Sequence, residues 1–382
     1  MNANMMPVKM FKIRILFWIC LISTFFWWGS KSVKRYWNQP LTTNMVYSYG
    51  DNDNGIQFPL MTFCDREFVE KNEIFQDCQI DWPYFIHSFN ESLRNCKTFK
   101  LSNLLNSLEI ERRDIIDKTN FWDGYESTNI DHLDDQIWSR VFHPLNGPCF
   151  MFDLSNINEF KHILYQGYAR PEFDFLLSKN IPWKKIRIFL HTKYDLPDAY
   201  QLNFRIDIKI SNKTRFAHGI LIRKTTSDRE SSRKIPCTKY EYNTCQNIED
   251  NHLILNEYNC QIPIMHYGKH LEDTIPQETP ICSDEVAKKA IYLISSKTTN
   301  CTRSPTCEMT RFTFAVHKSS SYVENTNVVW IGFSNPEVAN YHTYISYDLP
   351  SLIGEIGGIL GITLGVSALT FFESLSNRIP YY

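Results

Sequence analysis

Two long apolar runs lie near the ends of the chain, and the stretch between them is patterned for a water-facing fold. The first run reads ILFWICLISTFFWW, Ile15–Trp28, and follows Lys9, Lys12 and Arg14. Extended to Val33 it is long enough, at about 1.5 Å per residue, for a hydrocarbon layer of about 30 Å. It is crowded with Phe and Trp, and no small-x-small cleavage site follows it. Trp27, Trp28, Tyr36 and Trp37 suit an aromatic belt at a lipid interface. Residues 13–33 are therefore expected to be a membrane helix, not a cleaved leader. The second run, Leu352 to Phe372, carries one charge, Glu355. It is too long and too uniformly apolar for an ordinary core helix. A second span is expected over residues 351–373.

Two spans would enclose residues 34–350 as one large domain. Residues 1–12 and 374–382 would then be short tails on the opposite side. Within the domain, LNFRIDIKI (202–210) alternates strictly, which predicts a half-buried strand. KKIRIFLHT and RFAHGILIR are expected to be its neighbours. Residues 83–118, including LSNLLNSLEIERRDIID, are spaced for an amphipathic helix. SDEVAKKAIYLISS (283–296) begins with a good N-cap and reads as a helix. RFTFAVH (311–317) and NVVWIGF (327–333) read as strands leading back to the membrane. No repeat or low-complexity linker interrupts this mixed α and β pattern.

Charge and cysteine use sharpen the picture. The 382 residues carry a formal net charge of −2, so no strong field points to nucleic acid. Of eleven cysteines, Cys20 lies in the first apolar run and the other ten lie between Cys64 and Cys307. The same interval holds the glycosylation triplets that begin at Asn90, Asn212 and Asn300. Paired cysteines and sequons together favour an oxidising, extracellular middle with cytosolic tails. The basic residues flanking the first span are equally dense on both sides and do not decide its orientation. Cys237, Cys245, Cys260, Cys282, Cys301 and Cys307 suggest a disulfide-stapled, loop-rich subdomain over about residues 237–307. No C-x-x-C pair or finger-like Cys/His spacing supports zinc. The sequence also lacks H-E-x-x-H, G-x-S-x-G, a phosphate-cradling loop and a dinucleotide fingerprint, so no enzyme and no cofactor is expected.

The glycines pose the sharpest question. Five of fourteen fall within Gly354–Gly365, although each costs a helix roughly 0.5–1 kcal/mol relative to alanine. On a helix at about 100° per residue, Gly354, Gly358, Gly361 and Gly365 share one narrow stripe. Such a stripe lets helix backbones approach closely in lipid. One reading is the dimer contact of a single-pass anchor. The other is a ring of helices around a pore, with a local break at Gly365-Val366-Ser367 whose carbonyls replace an ion's hydration shell. Glu355 fits the second reading, because a charge within a span commonly faces a polar pathway. It also fits a solvated interface position.

The stretch YDLPSLIGEIGGILGITLGVSALTFFE resembles the second span of the degenerin/epithelial sodium channel family, which includes acid-sensing members. The shared pattern is Ser351, Glu355-Ile356-Gly357-Gly358, Leu360-Gly361, Gly365-Val366-Ser367 and Glu373. FPLMTFCD (58–65) is similar to the segment that follows the family's first span, and Arg14 with Phe17-Trp18 fits its start. NGPCFMF (146–152) and SPTCEMTRF (304–312) resemble later segments less specifically. The resemblance implies a Cys64–Cys149 bridge, a central β-sheet, and a homo- or heterotrimer of related subunits in the plasma membrane. It implies that Gly365, Val366 and Ser367 form the cation-selective belt, with sodium as the permeant species. Glu355 and Gly358 would lie near the outer gate and Glu373 at the cytosolic exit, with Gly361 lining the pore between them. Ser351 would take a place that needs a small side chain. Residues 1–13 lack the family's His-Gly pair, and Phe312 stands where tyrosine is usual. These departures leave a non-conducting modulatory subunit as an alternative, beside a membrane-anchored receptor or adhesion protein.

Overall fold

The computed structural model describes residues 6–49, 56–67, 110–143, 147–155, 157, 171–192, 205–210, 217–239, 242–262, 279–296, 300–302, 304–319, 327–335 and 337–364. The chain divides into two compact units. One comprises Met1–Asn44, Arg229–Cys237 and His342–Tyr382; the other comprises Met45–Asp228 and Thr238–Tyr341.

Thirteen strands occur among the described residues. β1 (Leu41–Tyr49), β13 (Glu337–Ile345), β10 (Ala217–Arg229), β12 (Val328–Phe333), β7 (Glu172–Leu177), β3 (Ile116–Trp122) and β4 (Ser127–Asn129) form one sheet in that order, with β11 (Glu308–Ser319) also paired to β10. A five-stranded sheet has the order β5 (Trp138–His143), β6 (Gly147–Phe152), β2 (Leu60–Asp65), β8 (Lys185–His191) and β9 (Arg205–Lys209).

The core of the second unit is aromatic. β7 alternates strictly, burying Phe173, Phe175 and Leu177 while Glu172, Asp174 and Leu176 stay half-exposed. That period of two turns one face of the sheet toward the core. Phe175 meets Phe63 of β2 at 4.9 Å between centroids, and Phe173 meets Phe152 of β6 at 5.4 Å. Phe58 joins Phe173 to Phe333 of β12, at 4.9 and 4.6 Å. These separations lie in the range where edge-to-face pairs add to area burial. At the other side of the first sheet a Cβ on Gly219 would come within 1.9 Å of the Trp330 ring. Only glycine admits that indole at the β10–β12 register pair Gly219–Trp330.

β9 confirms the alternation read in LNFRIDIKI, with Ile206 and Ile208 buried and Asp207 turned out. β8 is its neighbour, as expected. RFAHGILIR is not: its described residues, from Ala217 on, belong to β10 in the other sheet, where they pair with β11 and β12. Arg187 of β8 is buried and makes two hydrogen bonds to Asp207, at 2.7 and 3.0 Å. Burial alone would raise the Asp207 pKa. Hydrogen bonding and charge from Arg187, with Arg205 and Arg66 nearby, outweigh it and hold the carboxyl below its ordinary range.

Disulfides tie the β-rich unit. Cys64 and Cys149 are opposite each other in the β2–β6 register and are bonded across a separation of 85 residues. Cys245–Cys301 and Cys260–Cys282 are also bonded. Cys237 and Cys307 are each in disulfide linkage. The region expected to be loop-rich contains two helices, α2 (Tyr242–Tyr258) and α3 (Asp284–Ser296). α2 stops where Asn259 adopts φ 49°, the left-handed conformation that ends helices, and Cys260 then enters its bridge. The helix expected over 83–118 fails at its end. Only Arg112–Ile115 is helical, and β3 begins at Ile116 because that residue and Thr119 are buried against the sheet. Residues 83–109 lie outside the described residues. Of the acceptor asparagines, Asn90 and Asn212 lie outside them too, and Asn300 is exposed.

In the first unit, α1 runs as one helix from Met6 to Asn38 and α4 from Leu349 to Leu364. Among the described residues no helix is long and apolar enough to cross a membrane. The stretch expected to span over 351–373 is described only as far as Leu364.

Candidate functional site

Of the residues expected to serve the pore, Ser351, Glu355, Gly358 and Gly361 lie on α4, and the structure shows what holds its first turns. Asp348 is the N-cap: its Oδ1 accepts the backbone N–H of Ser351 at 2.9 Å. The Ser351 hydroxyl and then its backbone N–H hold the Asp348 carboxyl below the ordinary range. Leu349 and Pro350 open the helix, where proline's missing N–H costs nothing.

α4 has two unlike sides. Ile359 is buried, and Leu352, Ile356 and Leu360 are half-buried. Their spacing of three and four residues makes one seam, and α1 is the helix that α4 packs against. The glycine side is open. A Cβ added at Gly354, Gly357, Gly358 or Gly361 would meet nothing within 4 Å. The stripe expected to permit close backbone approach therefore does not serve the contact with α1. Ser351 and Glu355 are exposed beside it. Gly365, Val366, Ser367 and Glu373 lie outside the described residues.

Glu355 is nonetheless engaged within the chain. Tyr347 donates its hydroxyl to Oε2 of Glu355. The Arg35 guanidinium of α1 stands 4.7 Å from the Tyr347 ring centroid. Ser32, one turn earlier, is buried, and its hydroxyl donates to the Trp28 carbonyl at 3.1 Å, close to Tyr347 and Glu355. Burial first, and then the Glu355 hydrogen bond and charge, raise the Tyr347 phenol above its ordinary pKa, so it remains a donor.

The end of α1 is equally specified. Gln39 takes φ 44° and Pro40 follows, a left-handed stop and then a residue that cannot continue the helix. Gln39 is not glycine, and its side chain offsets the strain: Oε1 accepts the Arg233 backbone N–H at 2.7 Å. The Arg233 guanidinium lies 4.5 Å from the Trp37 ring centroid and 5.7 Å from that of Tyr36. Ser346 returns to Pro40 through its backbone N–H at 2.9 Å and its hydroxyl at 3.0 Å. Glu230 accepts the Ile345 N–H at 2.8 Å, and Thr43 meets Thr343 at 2.8 Å.

Sequence reasoning found Ser351, Glu355 and the glycines but missed Ser32, Arg35, Tyr347, Gln39 and Arg233. Gln39-Pro40 after an apolar helix was the available stop signal. Arg35 meets Tyr347, and Gln39 meets Arg233, across long separations in sequence, and no local pattern marks those contacts.

Down the flank of α1 runs an open apolar groove of about 580 Å³, lined chiefly by Phe25, Phe26, Gly29, Val33 and Trp37 with Ile356 of α4. Phe26 and Trp37 are 68% and 65% exposed.

The family described as amiloride-sensitive sodium channel matches residues 11–376. Acid-sensing ion channel 1A of Danio rerio is 25% identical over 157 residues, which cover 35% of this chain and 30% of the relative. Acid-sensing ion channel 2 of Homo sapiens is 27% identical over 157 residues, 35% of this chain and 29% of the relative. The chain thus spans less than a third of the length of these curated relatives. A cryo-EM structure of a proton-activated chloride channel aligns over 95% of both chains at 7% identity, with a TM-score of 0.35.

Proposed function

Because the chain belongs to the amiloride-sensitive sodium channel family, we propose that it is a subunit of a trimeric, mainly sodium-permeable cation channel of the plasma membrane. The observation that carries this reading is the division of α4. Its apolar seam faces α1, while Cβ atoms added at Gly354, Gly357, Gly358 and Gly361 meet nothing within 4 Å among the described residues. A helix with a bare-backbone side left open within its own subunit is suited to packing against other copies of itself around an axis. Exposed Leu16, Ile19, Ile22 and Phe26 on α1, and Ile353 and Ile362 on α4, suit contact with lipid.

In this reading residues 13–33 and 351–373 cross the bilayer, residues 34–350 are extracellular, and both tails are cytosolic. Gly365, Val366 and Ser367 form the selectivity belt, Ser351, Glu355, Gly358 and Gly361 line the outer half, and Glu373 sits at the inner exit. Partners are related subunits, lipid and permeant sodium. The family is one of ion channels, and no enzymatic role is proposed.

The test is whole-cell recording from cells expressing the full chain, alone and with related subunits. A sodium current blocked by amiloride is expected, and Ser351→Phe is expected to make it constant. Surface-expressed protein that passes no current in either setting, with Ser351→Phe also silent, would remove the conducting role.

A further inference from the structure

Around α4 the one charged residue of the helix lies between two stripes. At about 100° per residue, Leu352, Ile356 and Ile359 fall within about 60° of one another, as do Gly354, Gly358 and Gly361 on the far side. Glu355 falls on the border. Its carboxylate can serve the open glycine side or the α1 side, and in this structure one of its oxygens is committed to the α1 side.

That commitment is built from three elements. Tyr347, in the turn before α4, is only 5% exposed and donates to Oε2 of Glu355. Ser32 of α1 is only 2% exposed and lies close to both groups, its own hydroxyl proton being given to the Trp28 carbonyl at 3.1 Å. Arg35, one turn further along α1, holds its guanidinium over the Tyr347 ring and places a positive charge near the carboxylate. Buried hydroxyls need partners, and a hydrogen bond to a charged acceptor is worth more than a neutral one. The other charged group of this turn, Asp348, is occupied as the cap of α4.

We propose that Arg35, Tyr347 and Glu355 form a latch within each subunit that holds α4 against α1 and keeps the pore shut. The inference rests on the channel reading above. Glu355 is then a positioning residue in the latched state. Its negative charge is drawn toward α1 and away from the glycine side where cations would pass. Release frees the first turns of α4 and returns that charge to the open side together.

The latch and a simple ring of carboxylates make different predictions in single-channel recording. Tyr347→Phe removes the donor without changing charge, and Glu355→Gln removes the charge. For a latch, each variant raises the resting open fraction about tenfold, the ratio expected for one charge-assisted hydrogen bond, and unitary current stays the same with Tyr347→Phe. The double variant opens no more than the stronger single one, because both remove one interaction. Effects that multiply in the double variant overturn the latch. So does a Tyr347→Phe channel indistinguishable from wild type while Glu355→Gln lowers unitary current. A wild type that reaches the surface and passes no current overturns the channel reading instead. Amide hydrogen exchange over Leu352–Ile359 of the solubilised full chain then tests the latch: Tyr347→Phe speeds it about tenfold if the contact holds α4, and unchanged exchange sinks the proposal.

Discussion

Arg233 stands over Trp37, guanidinium to indole centroid 4.5 Å, while its own backbone N–H is given to the side chain of Gln39. One residue of the Arg229–Cys237 loop thereby reads both the last turn of α1 and the residue that stops it.

Arg233→Ala is expected to loosen that loop. Loss of a partly exposed cation–π contact of about 0.5–1 kcal/mol corresponds to amide exchange faster by about two- to fivefold. Exchange measured over Arg229–Cys237 checks this, with α3 amides as the unchanged control.

Gly358→Leu separates folding from assembly. The added side chain begins in open space within the subunit, and leucine favours helix over glycine by about 0.5–1 kcal/mol. The variant chain is expected to fold and reach the membrane. On the trimeric reading, chemical cross-linking in detergent is expected to give trimers for wild type and monomers for the variant.

Cys64 and Cys149 are both fully buried, and their bridge closes 85 residues of chain. The entropy of closing so long a loop predicts a loss of about 4–5 kcal/mol in a Cys64→Ser/Cys149→Ser double variant. Intracellular retention of the double variant, read by surface biotinylation, is the expected outcome.

Asp207→Asn leaves the Arg187 guanidinium buried without its carboxylate. The Asp207 side chain is 32% exposed, so a loss of about 2 kcal/mol is expected, below the cost of breaking a fully buried pair. Because the Asp207 pKa is depressed in the fold, its contribution is present above the pKa of the unfolded chain. It is lost as pH falls through the lower, folded value. The gap between wild type and variant in thermal melts should therefore close in strong acid.

Asp174 has the opposite sign. Burial on β7, opposite Trp330 and Asn120, raises its pKa. Ionisation thus costs stability as pH rises through the interval from the unfolded to the folded value. Asp174→Asn is expected to be more stable than wild type by about 1 kcal/mol at neutral pH. Below the unfolded pKa, where the acid is protonated in both states, the two should melt together.

The elements legible in the sequence were those whose own pattern matched their surroundings. β9 alternates because one face is buried, and α3 starts at Ser283, whose carbonyl accepts the Ala287 N–H at 2.8 Å. β13 was not anticipated: EVANYHTYI carries polar side chains on a half-exposed strand, so burial wrote no period into it. α2 was missed because YNTCQNIEDNHLILNEY has a weak apolar face, and bridges at Cys245 and just past its end at Cys260 constrain it where side-chain pattern does not. At the site, glycine spacing and Glu355 were visible because they lie on one helix. The contacts that fix Glu355 join the end of α1 to the start of α4, two parts of the chain far apart in sequence.

β2 sits in the middle of its sheet although it is made first among those strands. Its neighbours β6 and β8 are synthesised far later, and in the sequence Cys78 and Cys96 come between Cys64 and its partner Cys149. Native pairing must therefore skip two nearer thiols. On the proposed extracellular placement of this domain, maturation is expected to depend on a lumenal oxidoreductase that can undo early mispairing, and its yield to fall when that catalyst is scarce.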